Sequence, residues 1–176
     1  FDPAQIFALK AIKALFRVNR DIMIRTLCLI FAFAWFTDQG ARLGDLSLAA
    51  NLILMQFVTF SAFFIDGFAI ASESIMGEAH GKRDRLATDD IIRAAFISGG
   101  LLAFVLSLAF FFLSPLIMRL LTSSPAVINE ATQFSLWMVA TPFVSFAAYI
   151  YDGLFIGATK TEEMRTAMIV SLFVFL

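Results

Sequence analysis

No charge interrupts residues 46–65, and the apolar stretch that contains them continues to residue 76. At about 1.5 Å per residue in a helix, such a stretch outruns the roughly 30 Å hydrocarbon core of a bilayer, so it predicts a crossing helix that tilts or protrudes into the headgroups. The rest of the chain agrees: 60% of its residues are hydrophobic, 15% are charged, and the mean hydropathy is +0.87. A soluble domain is about 45–50% apolar, so the excess has to face lipid. A net charge of -1 excludes nucleic acid and acidic substrates as partners recognised by overall charge. One cysteine, Cys28, excludes an internal disulfide, and one histidine, His80, leaves no His/Cys cluster for a transition metal.

Four windows are long enough to span: residues 22–40, 46–76, 94–113 and 134–156. A fifth begins near Arg165 and is cut off at Leu176. The fold class they predict is all-α, a polytopic transmembrane helical bundle. The start at Phe1 and the apolar ending "MIVSLFVFL" read as a piece of a longer protein. Short polar stretches, "GARLGD", "GEAHGKRDRLATDD", "TSSPAVINE" and "GATKTEEM", predict the connections. Residues 1–20 carry Ile6, Leu9, Ile12 and Phe16 at helical spacing among Lys10, Lys13, Arg17 and Arg20, the pattern of a basic amphipathic helix on an anionic membrane face. Residues 21–176 form the transmembrane part.

Lys and Arg are retained on the cytoplasmic side. Five lie in residues 10–25, four in 77–93 and two in 157–165, whereas the opposite loops hold only Arg42 and Arg119. This bias places the amphipathic helix, the "HGKRDR" loop and the "TKTEEMR" loop in the cytoplasm. The second and fourth spans then both run inward.

Those two spans hold the unusual residues. On a wheel of 100° per residue, Asn51, Thr59, Asp66 and Glu73 fall within a sector of about 80°, beside the small Ala62 and Ala69 and the larger Met55. Gln56, Ser61, Ser72 and Ser74 lie outside it. In the fourth span Thr141, Ser145 and Asp152 share one face, and "YDGLFIG" echoes "IDGFAIA". Gly153 and Gly157 form a GxxxG that admits a neighbouring helix, and Pro142 predicts a kink with a freed carbonyl near Met138. An acid in such a place is either satisfied by hydroxyls, backbone groups or an arginine of another helix, or it takes up a proton or a cation. Intramembrane acids are rare, which makes a functional site the default reading of Asp66 and Asp152. Glu73 lies closer to the cytoplasmic end, where solvation alone accounts for it. Asp38 reads as an interfacial acid and Arg25 as a snorkelling cation. "GEAHGKR" has three residues between its glycines and Arg in place of Ser or Thr, so it is no phosphate loop, and His80 reads as surface.

The blocks "NRDIMIRTLCLIFAFAWFTDQGARLGDLSLAAN", "DGFAIASESIMGEAHGKRD" and "YDGLFIGATKTEEMRTAM" resemble the second half of multidrug and toxic compound extrusion (MATE) transporters, most closely the DinF subgroup. The likeness runs from Asn19 to Met168. It implies a twelve-helix exporter of two lobes, with this chain supplying helices seven to ten and the start of eleven, and with the amphipathic helix as the cytoplasmic connector between lobes. It further implies a bacterial inner-membrane protein, not an enzyme, that expels cationic or amphipathic small molecules by alternating access. Influx of H⁺ or Na⁺ drives it, and no other cofactor is needed. Its partners are those small molecules, membrane lipid and the amino-terminal lobe, with no nucleic acid. The subgroup's main proton site lies in the first helix of the amino-terminal lobe, outside this chain. Asp66, Glu73 and Asp152 match positions in the carboxy-terminal lobe, and nothing is carried onto Asp38.

The proton/cation or substrate-binding set is therefore Asp66, Glu73, Asp152, Asn51, Thr59 and Ser145. A carboxylate in an apolar cleft has its pKa raised by desolvation, so it can load a proton on one side and release it on the other, with a cationic cargo competing for the same charge. One rival is a flippase for a lipid-linked precursor, which needs a basic cavity where this seam is acidic. The others are an intramembrane enzyme with Asp66 and Asp152 as a catalytic pair, or a passive membrane subunit.

Overall fold

The computed structural model describes residues 9–176; the first part of the expected amphipathic helix, with Ile6, lies outside the described residues. Six helices follow one another: α1 (Leu9–Arg42), α2 (Asp45–Lys82), α3 (Arg85–Leu121), α4 (Pro125–Gln133), α5 (Ser135–Gly157) and α6 (Thr161–Phe175). There is no strand among the described residues. α2, α3 and α5 are each long and apolar enough to cross a membrane, in keeping with the second, third and fourth windows. The first window lies within α1, and the fifth opens at Thr161, earlier than its apolar residues suggest.

Helix ends depart from the hydropathy windows, and capping explains why. α2 runs on to Lys82 and α3 starts at Arg85, so most of "GEAHGKRDRLATDD" is helix and only Arg83 and Asp84 lie between the two. Arg83 adopts a left-handed φ of 56° and its N–H closes on the carbonyls of Ala79 and His80. Asp84 then caps α3, its carboxylate accepting from the Ala87 N–H at 3.1 Å. A turn can therefore be two residues long while the helices on either side continue into water. "TSSPAVINE" is likewise more than a connection, because Pro125 opens the nine-residue α4 at its first position. Pro142 lies buried within α5, which is continuous from Ser135 to Gly157. α1 is also continuous, so residues 9–20 and the first window lie on one helix.

The chain divides into two compact units. One comprises residues up to Trp35 together with Thr159–Leu176, and the other is Phe36–Ala158. In the second, α2 packs most extensively on α5 and then on α3, with α5 also against α3. Toward the end of the bundle that charge assigns to the outside, Ala50, Ile53, Phe57, Phe110, Met118, Ala131 and Met138 form a core; Phe57 and Phe110 meet edge to face at 5.0 Å. Toward the cytoplasmic end, Met76, Ala95, Ile150 and Leu154 form a smaller one.

Glycine brings α2 and α5 close. A Cβ at Gly153 would collide with the backbone of Ala69, and one at Gly157 with the carbonyl of Glu73. Four residues separate the members of each pair on their own helix, in the same sequence direction, so α2 and α5 run parallel. Parallel packing agrees with the inward direction that charge assigns to both. Small residues at such a crossing allow the close backbone approach that membrane helices use for van der Waals gain.

Candidate functional site

The register of that crossing positions the acids. Asp66 lies three residues before Ala69, and Asp152 one residue before Gly153. With Ala69 level with Gly153, the backbone positions of the two acids stand about two residues, or roughly 3 Å, apart along the helix axes. Rotation at 100° per residue from the contact positions turns both toward the same flank of the α2–α5 pair, opposite the flank on which α3 packs. Both residues are half-buried, and neither is free of interactions. The register thus sets two acids 86 positions apart in sequence at similar depth on one flank of the helix pair.

The remaining members of the expected set divide. Glu73 is half-buried two turns further toward the cytoplasm, and its carbonyl lies under Gly157. Ser145 is half-buried on the Asp152 face, two turns toward the outside, and its hydroxyl donates to the Thr141 carbonyl at 2.7 Å. Thr141 in turn donates to the carbonyl of Trp137 at 2.7 Å. Thr59 is exposed, donates to the Met55 carbonyl at 2.9 Å, and borders an apolar groove of about 350 Å³ shared with Phe57, Phe60, Phe63 and Phe110. Asn51 lies some 22 Å from Asp66 along α2. Its side-chain amide packs so closely on Gly40 that a Cβ there would be 2.8 Å from Nδ2. Of the four α2 residues that share a sector, Asp66 and Glu73 therefore line the approach to α5, Thr59 edges toward the groove, and Asn51 closes the α1–α2 hairpin. Each of these hydroxyls donates to a carbonyl one turn back on its own helix, which leaves the oxygen lone pairs as acceptors. Among the described residues no three His, Cys, Asp or Glu side chains gather as a metal site.

His80 is exposed in the last turn of α2, and the residues that resemble a phosphate loop are helical as far as Lys82. Asp38 is exposed and pairs with Arg42 at 2.9 Å, one helical turn on.

Among the described residues, the most completely buried acid is one that the sequence does not single out. Asp21, on α1 at the inner margin of the first window, is fully buried. Arg165 Nη1 donates to its Oδ1 at 2.6 Å, Arg20 reaches the same oxygen through Nε at 3.1 Å and Nη2 at 2.9 Å, and Thr161 Oγ1 donates to Oδ2 at 3.3 Å. Arg165 also contacts Glu162 at 3.3 Å. Loss of water around the Asp21 carboxyl pushes its pKa up; the hydrogen bonds and charges of Arg20 and Arg165 outweigh this and hold it below the ordinary carboxylate value. The only local hint was an acid set among cations in "RVNRD", and its distant partners carry no local signal.

A family model described as MatE matches residues 22–176. The chain is 40% identical over 159 residues to DNA damage-inducible protein F of Escherichia coli (strain K12), covering 90% of this chain and 35% of that protein. It is 26% identical over 153 residues to Protein DETOXIFICATION 45, chloroplastic, of Arabidopsis thaliana, covering 85% of this chain and 27% of the relative. It is 22% identical over 142 residues to Protein DETOXIFICATION 42 of the same plant, covering 78% and 27%. The chain thus spans about a quarter to a third of the length of these relatives. No solved structure gives a significant match. With its long apolar helices, the chain is part of a multi-pass membrane protein.

Proposed function

The chain belongs to the MatE family, whose members are transporters and not enzymes, and we propose that it is part of a secondary active exporter in which Asp66 and Asp152 exchange a proton or Na⁺ for cationic or amphipathic cargo. The observation that carries this reading is the placement of two half-buried carboxylates at one depth, on one flank, of two parallel helices locked by glycine. In this reading the two carboxyl groups share one proton, which a cation arriving beside them replaces. The neutral and charged forms then demand different amounts of water, and that difference biases an inward-open against an outward-open arrangement. Glu73, nearer the cytoplasm, is placed to pass ions between the pair and the inner water. The resemblance to an Escherichia coli protein favours the bacterial inner membrane as the location.

The test uses the full-length protein in liposomes carrying an imposed pH gradient, or in parallel a Na⁺ gradient, with a cationic dye as cargo. Asp66→Asn and Asp152→Asn are each expected to lower gradient-driven dye flux at least about tenfold, a loss of about 1.4 kcal/mol of coupling. Unchanged flux in both variants would remove the pair from the mechanism. The gradient that drives the wild type identifies the ion.

A further inference from the structure

The Asp21 cluster uses none of the chemistry proposed for the Asp66–Asp152 pair. It joins α1 to α6 across 140 to 144 positions of sequence, within a single compact unit. Its acid is fully buried, Thr161 beside it is 2% exposed, and Arg165 is mostly covered. Both guanidiniums converge on Oδ1, Arg165 at 2.6 Å, while the Thr161 hydroxyl reaches Oδ2, so both carboxylate oxygens are engaged by charge-assisted or hydroxyl hydrogen bonds.

Separating such a pair strands a charge without water, and breaking one side of a buried ion pair is far more costly than never having made it. Helices joined this way move together or not at all. The surroundings reinforce the joint, because Arg165 is the hub of a small network, bonded at once to Asp21 and to Glu162. Just before α6, Thr159 takes a left-handed φ of 56°, a conformation that a β-branched residue rarely adopts.

We propose that Asp21, Arg165 and Thr161 form a clasp that holds the cytoplasmic ends of α1 and α6 together as one body while the transporter changes shape. The proposal rests on the transport reading above for its purpose, but the clasp itself is a property of the two helices. Asp21 is a positioning residue in this scheme and exchanges no proton with cargo. The charged groups around it are Arg20, Arg165 and, through Arg165, Glu162. They keep the carboxyl ionised over the range of about pH 5 to 8 in which a coupling acid would titrate.

The experiment uses the full-length protein in liposomes, with spin labels at Lys13→Cys and Glu163→Cys in a cysteine-free background; both native side chains are exposed. Wild type is expected to give one narrow interlabel distance at pH 5.5 and at pH 7.5. Asp21→Asn and Arg165→Met are expected to broaden or split it and to lower dye flux about tenfold, and the exchange Asp21→Arg with Arg165→Asp to restore both to within about threefold. Thr161→Val, a milder change, is expected to broaden the distance slightly. A distance unaffected by Asp21→Asn, or a double exchange no better than either single variant, would overturn the clasp. Broadened distances with normal flux would overturn its role in the cycle. If wild type moves no dye under any gradient, the transport reading falls while the label distances still decide the clasp.

Discussion

Asp21 and Asp66 are both acids that the chain withdraws from water, and their surroundings differ in kind. Around Asp21 stand two guanidiniums and a hydroxyl, drawn from two helices, and its pKa is held down. Around Asp66 the helix crossing supplies a second carboxylate at nearly the same height, with the neighbouring Ser145 and Thr141 hydroxyls turned onto their own backbone. Both are at least partly buried; the cations lie on Asp21, whereas Asp66 shares its depth with another acid. A buried acid among cations is a fastener, and a buried acid beside another acid is a place where a proton or cation can be exchanged.

The sharpest way to separate the two regions is to remove a partner from each. Arg165→Met leaves the Asp21 carboxylate buried with Arg20 alone, and should cost about 3 kcal/mol or more of stability by thermal unfolding in detergent. Asp66→Asn should leave stability within about 1 kcal/mol while abolishing coupled flux. Equal losses of stability in both would erase the distinction. Gly153→Leu attacks the register that sets Asp152 beside Asp66: the added side chain would overlap the Ala69 backbone, so a loss of about 1–3 kcal/mol is expected, together with loss of flux. Gly67→Ala, where a Cβ meets nothing within 4 Å, is the control that should leave both intact.

Acid should divide the two regions as well. Because the folded pKa of Asp21 lies below its unfolded value of about 3.9, its contribution to stability is complete well above that value and is lost as pH falls toward the folded pKa. Label distances across the clasp should therefore stay constant from about pH 8 down to pH 5, and widen only in stronger acid. Widening near pH 6 would mean that Asp21 titrates with the transport cycle. Two smaller effects set the scale. Asp84→Ala removes the α3 cap and should cost about 1 kcal/mol. Arg42→Ala breaks an exposed pair with Asp38 and should cost no more than about 0.5 kcal/mol.

Much of this architecture was readable from residue order. The apolar windows marked α2, α3 and α5, and the distribution of Lys and Arg implied that α2 and α5 run the same way, as the Gly153 and Gly157 contacts require. Helix ends were harder to read because hydropathy reports solvent and not backbone. "GEAHGK" and "RLATDD" are polar, yet they are helical on either side of the Arg83–Asp84 turn, with Glu78 and Lys82 paired along the surface of α2. α4 was hidden for the same reason, although Ser124 and Pro125 carried the mark of a helix start. A wheel placed Asn51, Thr59, Asp66 and Glu73 on one sector but is silent on depth and on neighbours. Asn51 meets Gly40 and Thr59 edges a groove of phenylalanines, so only part of the sector faces α5. Asp21 carries no local signal, because the arginine that gives it meaning lies 144 positions away.

Proton release on cargo binding tests the account most directly. When a cationic dye is added to the purified full-length protein in weakly buffered detergent solution, wild type should release up to about one proton per dye bound. Asp66→Asn should release almost none, and Asp21→Asn should release as much as wild type for each dye it binds. Release that survives loss of both Asp66 and Asp152, or that disappears with Asp21, would contradict it.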